Sequence, residues 1–176
     1  MFRIGLAAVL ALGVSGCNVV HKTQFDYVMQ AEDAAKRAAP GIRRQNAPLG
    51  SQIHRIGQKL NTARRARGLA PVSYNPRLSQ IAAGHASWLA RPGTPLTHTN
   101  DRNQNAMMRI RQGGYPACLA AENLARGDSS ADVVMRDWLA SSGHRDNILL
   151  PDLQEYGFAM QGTPGNWVLL LAAPGC

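Results

Sequence analysis

Acidic residues are scarce in this chain, and two familiar catalytic signatures are missing from it. The 176 residues include 11 Asp or Glu against 19 Lys or Arg, which gives a net charge of +8. No HExxH segment places two zinc-binding imidazoles on one helix face, and no GxSxG segment marks a serine nucleophile. The sequence motifs therefore support neither of these two hydrolase classes.

The chain also lacks an apolar run long enough to cross a bilayer, which takes about 20 residues. The run that it has, Ile4–Val14, follows the basic start Met1–Arg3 and leads through small residues to Cys17. This pattern is typical of a secretory signal, and a cysteine at this point resembles a bacterial lipoprotein box. We expect residues 1–16 to be a lipoprotein signal peptide and Cys17 to carry lipid. An ordinary cleaved signal with an incidental cysteine is the alternative.

Residues 17–50 show no sustained core pattern, and Pro40-Gly41 and Pro48-Leu49-Gly50 interrupt them. We interpret this stretch as a lipidated tether that joins the membrane to a domain at residues 51–176. The expected location is a bacterial cell envelope. Asn18 after the lipid cysteine resembles lipoproteins passed on to an outer membrane, so that membrane or its periplasmic face is expected if the envelope has two membranes.

Cysteine is rare as well, with three residues in the chain. If Cys17 carries lipid, Cys118 and Cys176 remain, and two thiols in an exported protein most simply form a disulfide. In the chain-entropy model such a loop contributes roughly 4 kcal/mol. Free buried thiols are the alternative, because the sequence does not show how close the two residues come.

The positive charge is carried mainly by arginines that are scattered singly, apart from Arg64-Arg65-Ala66-Arg67. A basic surface attracts nucleic acid, anionic lipid or wall polymers. The export signal argues against nucleic acid as a partner. We interpret the arginines as a solvated surface rather than a binding site.

The domain reads as an α+β fold in which helices alternate with strands. Periodicity and capping residues predict four helices, and apolar runs predict a strand and a hairpin. The helices begin at Ser51, Asn75-Pro76, Ala106 and Asp128-Ser129-Ser130, and the strands cover 118–126, 156–160 and 167–173. Helices around a small antiparallel sheet make a three-layer α-β-α sandwich. His85 lies on the apolar stripe of the second helix, so we expect a packed, hydrogen-bonded histidine.

Three polar segments carry the candidate site: LTHT around His98, AENLA around Glu122, and the turn after the last helix around His144. We expect the last helix to end in a left-handed cap at Gly143, directly before His144. Glu122 stands between apolar residues in an expected strand, and a buried acid needs a partner. Two imidazoles and a carboxylate can bind a divalent metal, move a proton, or join three segments by hydrogen bonds. Secondary candidates for the cleft are Asn123, Ser141, Asp146 and Asn147.

These segments resemble, in order, the bacterial CAP domain of cysteine-rich secretory, antigen 5 and pathogenesis-related proteins, also called the SCP domain. The matching runs are LNTARRARGLAPVSYNPRLSQIAAGHASWLA, LTHT, AENLARG, WLASSGHRDNIL, EYGFAM and NWVLLLAAP. The resemblance implies an α-β-α sandwich, an extracytoplasmic location, and a cleft that bears histidines and glutamates.

The resemblance assigns the cleft residue by residue. His98 matches the family histidine, and Glu122 matches the acid of the family's GENIA-like segment, with Ala121 in place of glycine. Many eukaryotic members have a second acid where this chain has Ser141, and a second histidine where it has Asn166-Trp167. The metal tetrad of some relatives is therefore incomplete here.

We expect the cleft of His98, Glu122 and His144 to bind an envelope ligand, lipid or protein partner, or a divalent metal, without catalysis. Zinc is the metal considered, since three protein ligands with an open position make a catalytic zinc site. A metal-dependent hydrolase or peptidase is the first alternative, with Asp146 as the nearest spare acid. A serine hydrolase would need Ser141 or Ser142 beside His144. A purely structural scaffold is the remaining alternative.

Overall fold

The computed structural model describes residues 49–127 and 130–175. Five helices and four strands lie in these residues. The helices are α1 (Leu49–Arg65), α2 (Pro76–Leu89), α3 (Ala106–Gln112), α4 (Ala131–Ala140) and α5 (Ser142–Ile148), and the strands are β1 (Ser73–Tyr74), β2 (Ala117–Gly127), β3 (Glu155–Gln161) and β4 (Gly165–Pro174). None of these helices is long and apolar enough to cross a membrane. The expected leader and Cys17 lie outside the described residues.

The sheet has the strand order β1-β3-β4-β2. β4 is antiparallel to both of its neighbours, and it pairs with β2 from Ala117↔Pro174 to Gly127↔Gly165. This confirms the predicted hairpin of β3 and β4. The two-residue β1 runs parallel to β3, so the sheet is not wholly antiparallel as predicted. β1 enters the sheet from the connection between two helices, which allows a parallel pairing.

Side chains of β4 alternate between two separate cores, one on each face of the sheet. Leu170 and its neighbours at even positions pack with α2 and α3, whereas Leu169 and its neighbours at odd positions pack with α1, α4 and α5. A strand that is buried on both faces has this period of two. The arrangement confirms the three-layer α-β-α sandwich.

Helix α2 packs closely on the sheet, and its start is as predicted. The Asn75 side chain accepts hydrogen bonds from the backbone N–H groups of Arg77 and Leu78, with Pro76 at the first helical position. A side chain at Gly157 of β3 would overlap the backbone of Leu78 and Ser79. Glycine therefore allows the helix to approach the strand.

Two predicted helix ends are wrong. α1 begins at Leu49, so Ser51 lies inside the helix and does not cap it. The chain leaves the helical conformation at Ser141, where φ is −82° and ψ is 127°, and then starts α5. Gly143 is therefore a buried helical residue and not a left-handed cap. His144 lies on a helix instead of in a turn.

Arg64 contradicts the interpretation of the arginines as a solvated surface. Its side chain is 1% exposed and lies near the end of α1. The guanidinium donates to the carbonyl oxygens of Ala70, Ile148 and Leu150 at 2.8 to 2.9 Å. Arg64 thereby joins α1 to the end of α5 through main-chain acceptors.

Candidate functional site

Glu122 and His98 meet directly, as the sequence suggested they could. Glu122 lies on β2 and its side chain is 2% exposed, whereas the His98 side chain is 20% exposed. Nδ1 of His98 donates a hydrogen bond to Oε1 of Glu122 at 2.8 Å. In a neutral imidazole this bond leaves Nε2 as the acceptor. The buried acid thus fixes both the ring orientation and the tautomer of the more exposed histidine.

Arg109 is the residue that the sequence analysis missed. It lies on α3, is 7% exposed, and donates to the second carboxylate oxygen of Glu122. The same guanidinium donates to the carbonyl oxygens of His98 and Gln104, each at 2.7 Å. A helix of seven residues is too short for a clear periodic pattern, so no sequence signal separated Arg109 from the exposed arginines. The prediction that the arginines are solvated is therefore wrong here too.

The electrostatics of Glu122 follow from these two partners. Burial by itself raises the pKa of the Glu122 carboxyl, but the hydrogen bond from His98 and the charge of Arg109 outweigh it, and the net pKa is lowered. The carboxylate is therefore ionised at neutral pH. Because both of its oxygens are already hydrogen-bonded inside the protein, Glu122 is a positioning group in this geometry.

His144 lies on α5 and is 4% exposed. Its burial, together with the charge of His98, lowers the pKa of the imidazole to about 4, so the ring is neutral at neutral pH. Within the described part of the chain, neither of its ring nitrogens has a hydrogen-bond partner. His144 therefore keeps its hydrogen-bonding capacity available near His98.

Two asparagines join β2 to α5 beneath these histidines. Nδ2 of Asn147 donates to the backbone oxygen of Glu122 at 3.1 Å and to Oδ1 of Asn123 at 2.9 Å. Nδ2 of Asn123, which is fully buried, donates to the backbone oxygen of His144 at 2.9 Å. These bonds hold the strand that carries Glu122 and the helix that carries His144 in register. Asn123 and Asn147 therefore have a structural function in the site.

The other candidates occupy different places. Asp146 is exposed on α5, and Ser141 is the extended residue between α4 and α5. Cys118 lies at the start of β2, whereas Cys176 lies outside the described residues, so their disulfide stays a prediction.

His85 is 2% exposed, its Nε2 contacts the backbone oxygen of Thr97 at 3.0 Å, and its ring stacks on Trp88. This confirms the expectation of a packed, hydrogen-bonded histidine.

The geometry does not suit a divalent metal at these residues. Among the described residues, no group of three or more His, Cys, Asp or Glu side chains is placed to hold one. Glu122 would have to give up its bonds to Arg109 and His98 before it could coordinate, and the permanent positive charge of Arg109 opposes a second cation beside it. The residues present therefore do not fit the zinc hypothesis.

Comparison with known proteins places this fold and site in a family context. The pattern of the cysteine-rich secretory protein family, CAP, matches residues 58–172. The uncharacterized protein YkwD of Bacillus subtilis is 24% identical over 113 residues, which are 64% of this chain and 44% of that protein.

Solved structures show the same fold. An extracellular protein containing an SCP domain from Bacillus anthracis aligns with a TM-score of 0.62 and 20% identity, over 70% of this chain and 40% of that one. An outer surface protein of Borrelia burgdorferi aligns with a TM-score of 0.66 and 20% identity, over 73% of this chain and 97% of that one. The chain thus spans less than half of the two Bacillus proteins and nearly all of the Borrelia protein.

Proposed function

The chain belongs to the cysteine-rich secretory protein (CAP) family, and we propose that it is a lipid-anchored envelope protein whose cleft at His98 and His144 binds a ligand without catalysis. The observation that carries this proposal is that both oxygens of the buried Glu122 carboxylate are held by protein partners, Arg109 and His98. A proton or a metal ion at Glu122 would compete with these two partners and would weaken its pairing with Arg109. The groups left to meet a ligand are the two imidazoles.

Those imidazoles define the chemistry of the ligand. His98 offers Nε2 from a ring that Glu122 holds in place, and His144 offers a neutral ring. The network of Asn123 and Asn147 joins the strand of Glu122, which holds His98, to the helix of His144. Two fixed hydrogen-bonding edges suit the hydroxyl, amide or ester groups of an envelope lipid or polymer. Such preorganised groups bind without the ordering cost of flexible ones.

Native mass spectrometry of the full chain, extracted in detergent from the membranes of its own host, tests the binding proposal. We expect a bound small molecule on the wild type and on a His54→Ala control, since His54 is exposed on α1. The His98→Ala and His144→Ala variants should remain folded and lose the molecule. Equal retention by both cleft variants would contradict the proposal.

Zinc titration by calorimetry tests the competing metal function. We expect no tight binding to the wild type, because Arg109 occupies the carboxylate. Tight binding of one zinc that both cleft variants lose would replace the ligand-binding proposal with a metal site and would justify a hydrolase screen.

The anchor is a separate part of the proposal and rests on the leader pattern before Cys17. Two proteins of the same fold are described as an extracellular protein and an outer surface protein, which agrees with an envelope location. Labelling of cells with an alkynyl fatty acid should mark the wild type but not the Cys17→Ser variant. Equal labelling of the two would refute lipidation at this residue.

The predicted disulfide of Cys118 and Cys176 is supported by the register of the sheet. Ala117 pairs with Pro174, and the backbone N–H of Gly175 donates to the oxygen of Pro116 at 3.2 Å. The described residues that precede Cys118 and Cys176 in the sequence therefore lie side by side. Peptide mapping without reduction should recover them in one linked peptide, and separate thiol-labelled peptides would contradict this.

A further inference from the structure

The exposed side of α1 is basic and carries no acidic side chain. Helix α1 contains no Asp or Glu. Between residues 54 and 65, its side chains that are exposed to solvent are His54, Arg55, Gln58, Lys59, Thr62 and Arg65. Their spacing places them on one side of the helix, opposite the buried Ile56 and Leu60. We call this side, together with the exposed Arg67 in the turn after the helix, the basic face.

Four cations of the basic face have one acidic partner. Arg55 and Lys59 each lie 3.0 Å from an oxygen of Asp132 on α4, so that carboxylate neutralises one of the two. Arg65 and Arg67 form no ion pair with any residue in the described part of the chain. Four positive charges against one negative charge leave a net charge of +3 on the basic face.

The other charged side chains on α4 and after it do not neutralise this surface. Arg136 and Asp137 of α4 lie 2.9 Å apart and compensate each other. Arg145 and Asp146 lie on α5, and Asp152 follows that helix. None of these five forms an ion pair with α1 among the described residues. Two cations against three anions add a charge of −1, so this layer of the sandwich remains positive.

The exposed arginines of the opposite layer differ, because other groups already engage most of them. Arg77 and Arg111 each donate to a main-chain oxygen at 3.0 to 3.1 Å. Arg91 lies 3.4 Å from Asp101, which leaves Arg102 in the loop 91–104. The basic face is therefore the denser array of available positive charge.

Tyr74 adds an exposed aromatic ring beside the basic face. It is 43% exposed, and Met108 is the other exposed large apolar side chain among the described residues. Tyr74 lines an open groove of about 590 Å³ together with His54 and Arg65 of the basic face. Its ring meets that of Tyr156 edge-on, with the centroids 5.7 Å apart. Tyrosine is enriched where lipid meets water, because its ring is apolar and its hydroxyl stays hydrated.

We propose that the basic face and Tyr74 dock on anionic phospholipid headgroups of the membrane that holds the anchor. This inference rests on the lipid anchor of the proposed function. The first described residue, Leu49, begins α1, so the anchored segment leads directly into this helix. Lipid phosphates complement the net positive charge, and a lipid chain with a basic patch makes a two-signal membrane attachment.

This orientation keeps the cleft of His98 and His144 accessible. Tyr74 lies on β1 and Glu122 on β2, and these two strands form opposite edges of the four-stranded sheet. Neighbouring strands are about 4.8 Å apart, so the two edges are separated by about 14 Å. The cleft beside Glu122 therefore lies at the edge far from Tyr74, and its ligand reaches it from the aqueous side.

Nuclear magnetic resonance on the full lipidated chain, purified from its own host into nanodiscs, tests the proposal. The discs contain phosphatidylcholine with or without phosphatidylglycerol, and a trace of lipid with a spin-labelled headgroup. With phosphatidylglycerol, the label should broaden the backbone N–H signals of Gln58 and Thr62 more than that of Met108 on α3, in the opposite layer. Without it, or at high salt, the difference should be lost, because the electrostatic attraction is absent or screened.

Two matched double variants separate the basic face from the total charge. Arg65→Gln with Arg67→Gln removes two exposed cations and should weaken docking about 25-fold, at about fivefold for each cation. The excess broadening on α1 should then disappear. Arg91→Gln with Arg102→Gln removes the same charge from exposed positions in the loop 91–104 and should leave the excess unchanged.

Three results would overturn the proposal. The first is equal broadening of Gln58 and Met108 on discs with phosphatidylglycerol. If soluble polyglutamate then shifts the α1 signals, the basic face binds an acidic polymer instead. The second is an excess of the same size on phosphatidylcholine alone, and the third is an equal loss in both double variants.

Failure of the anchor gives a different result from failure of docking. A chain without lipid would not stay on discs of phosphatidylcholine, which would contradict the anchor and the docking together. A chain that stays on these discs but shows no excess broadening with phosphatidylglycerol would contradict the docking alone.

Discussion

Arg64 and Arg109 are both buried, but different kinds of acceptors stabilise their positive charges. Arg64 donates to three main-chain carbonyl oxygens that join α1 to the end of α5. Arg109 donates to two carbonyl oxygens and to the carboxylate of Glu122. The charge of Arg64 is thus stabilised by carbonyl dipoles. The charge of Arg109 is neutralised by Glu122, which also accepts a hydrogen bond from His98.

The difference separates a structural joint from a functional site. Carbonyl oxygens do not titrate, so the Arg64 region has no state to change near neutral pH. Burial lowers the pKa of the Arg64 guanidinium, but arginine stays protonated in proteins. In the Arg109 region, Glu122 interacts electrostatically with His98 and His85, and His144 interacts with His98. Its stability and its contacts therefore depend on protonation.

The sharpest way to test this comparison is to remove Arg109. Arg109→Met should destabilise the protein by about 3 to 5 kcal/mol, because the Glu122 carboxylate is left buried with its charge uncompensated. Urea unfolding followed by circular dichroism measures the change. In the double variant with Glu122→Leu, the total loss should be clearly smaller than the sum of the two single losses. Strict additivity would show that the pair is not coupled.

Acid should act on the Arg109 region next most strongly. The pKa of His144 is about 4 in the folded protein and 6.5 in the reference state. The unfolded chain therefore binds the proton first, and the stability contributed above pH 6.5 is lost as the pH falls toward 4. The loss for His144 is on the order of 2 to 3 kcal/mol.

Urea unfolding at several pH values between 7 and 4 measures this slope (about 1.4 kcal/mol per proton and pH unit). The His144→Leu variant should reduce the slope, and part should remain because burial also lowers the pKa of His85. A wild-type stability that is flat over this window would contradict a neutral, buried His144.

Removal of Arg64 should have a smaller effect. Arg64→Met leaves carbonyl oxygens without their donor but leaves no charge behind, so we expect a loss of about 2 kcal/mol. The loss should be the same at pH 7 and pH 5, since Arg64 donates only to carbonyl oxygens among the described residues. A strongly pH-dependent loss would show that the stability of the Arg64 region also depends on protonation, as we expect only for the Arg109 region.

An exposed arginine provides the lower limit of the series. Arg55 and Lys59 each lie 3.0 Å from an Asp132 oxygen, with side chains about half exposed. Arg55→Ala should change the free energy of unfolding by less than about 0.5 kcal/mol, and added salt should reduce the change further. A loss as large as that of Arg64→Met would show that burial does not determine how much each arginine contributes to stability.

Sequence reasoning predicted the strands β2, β3 and β4 and three of the helices well because their signals are local. The apolar run of β4 and the Asn75-Pro76 start of α2 are examples. It also predicted that Glu122 needs a partner. It did not predict that Arg109 is a partner, since the contact joins α3 to β2 and only the packing of the two elements creates it.

Two other errors have local explanations. Arg64 lies four residues after Leu60 on the apolar stripe of α1, so the stripe itself placed the arginine on the buried face. The charge of the side chain was given more weight than its position. At the start of α5, the glycine at 143 suggested a helix end, but the actual break is two residues earlier at Ser141.

Strand β4 lies between β3 and β2 in the sheet, although it follows both of them in the chain. Neither core can close before residues 165–174 have joined the sheet, because alternate side chains of β4 complete each one. During synthesis, the earlier segments therefore remain without their central partner. This order of emergence delays folding until nearly the whole domain has been synthesised.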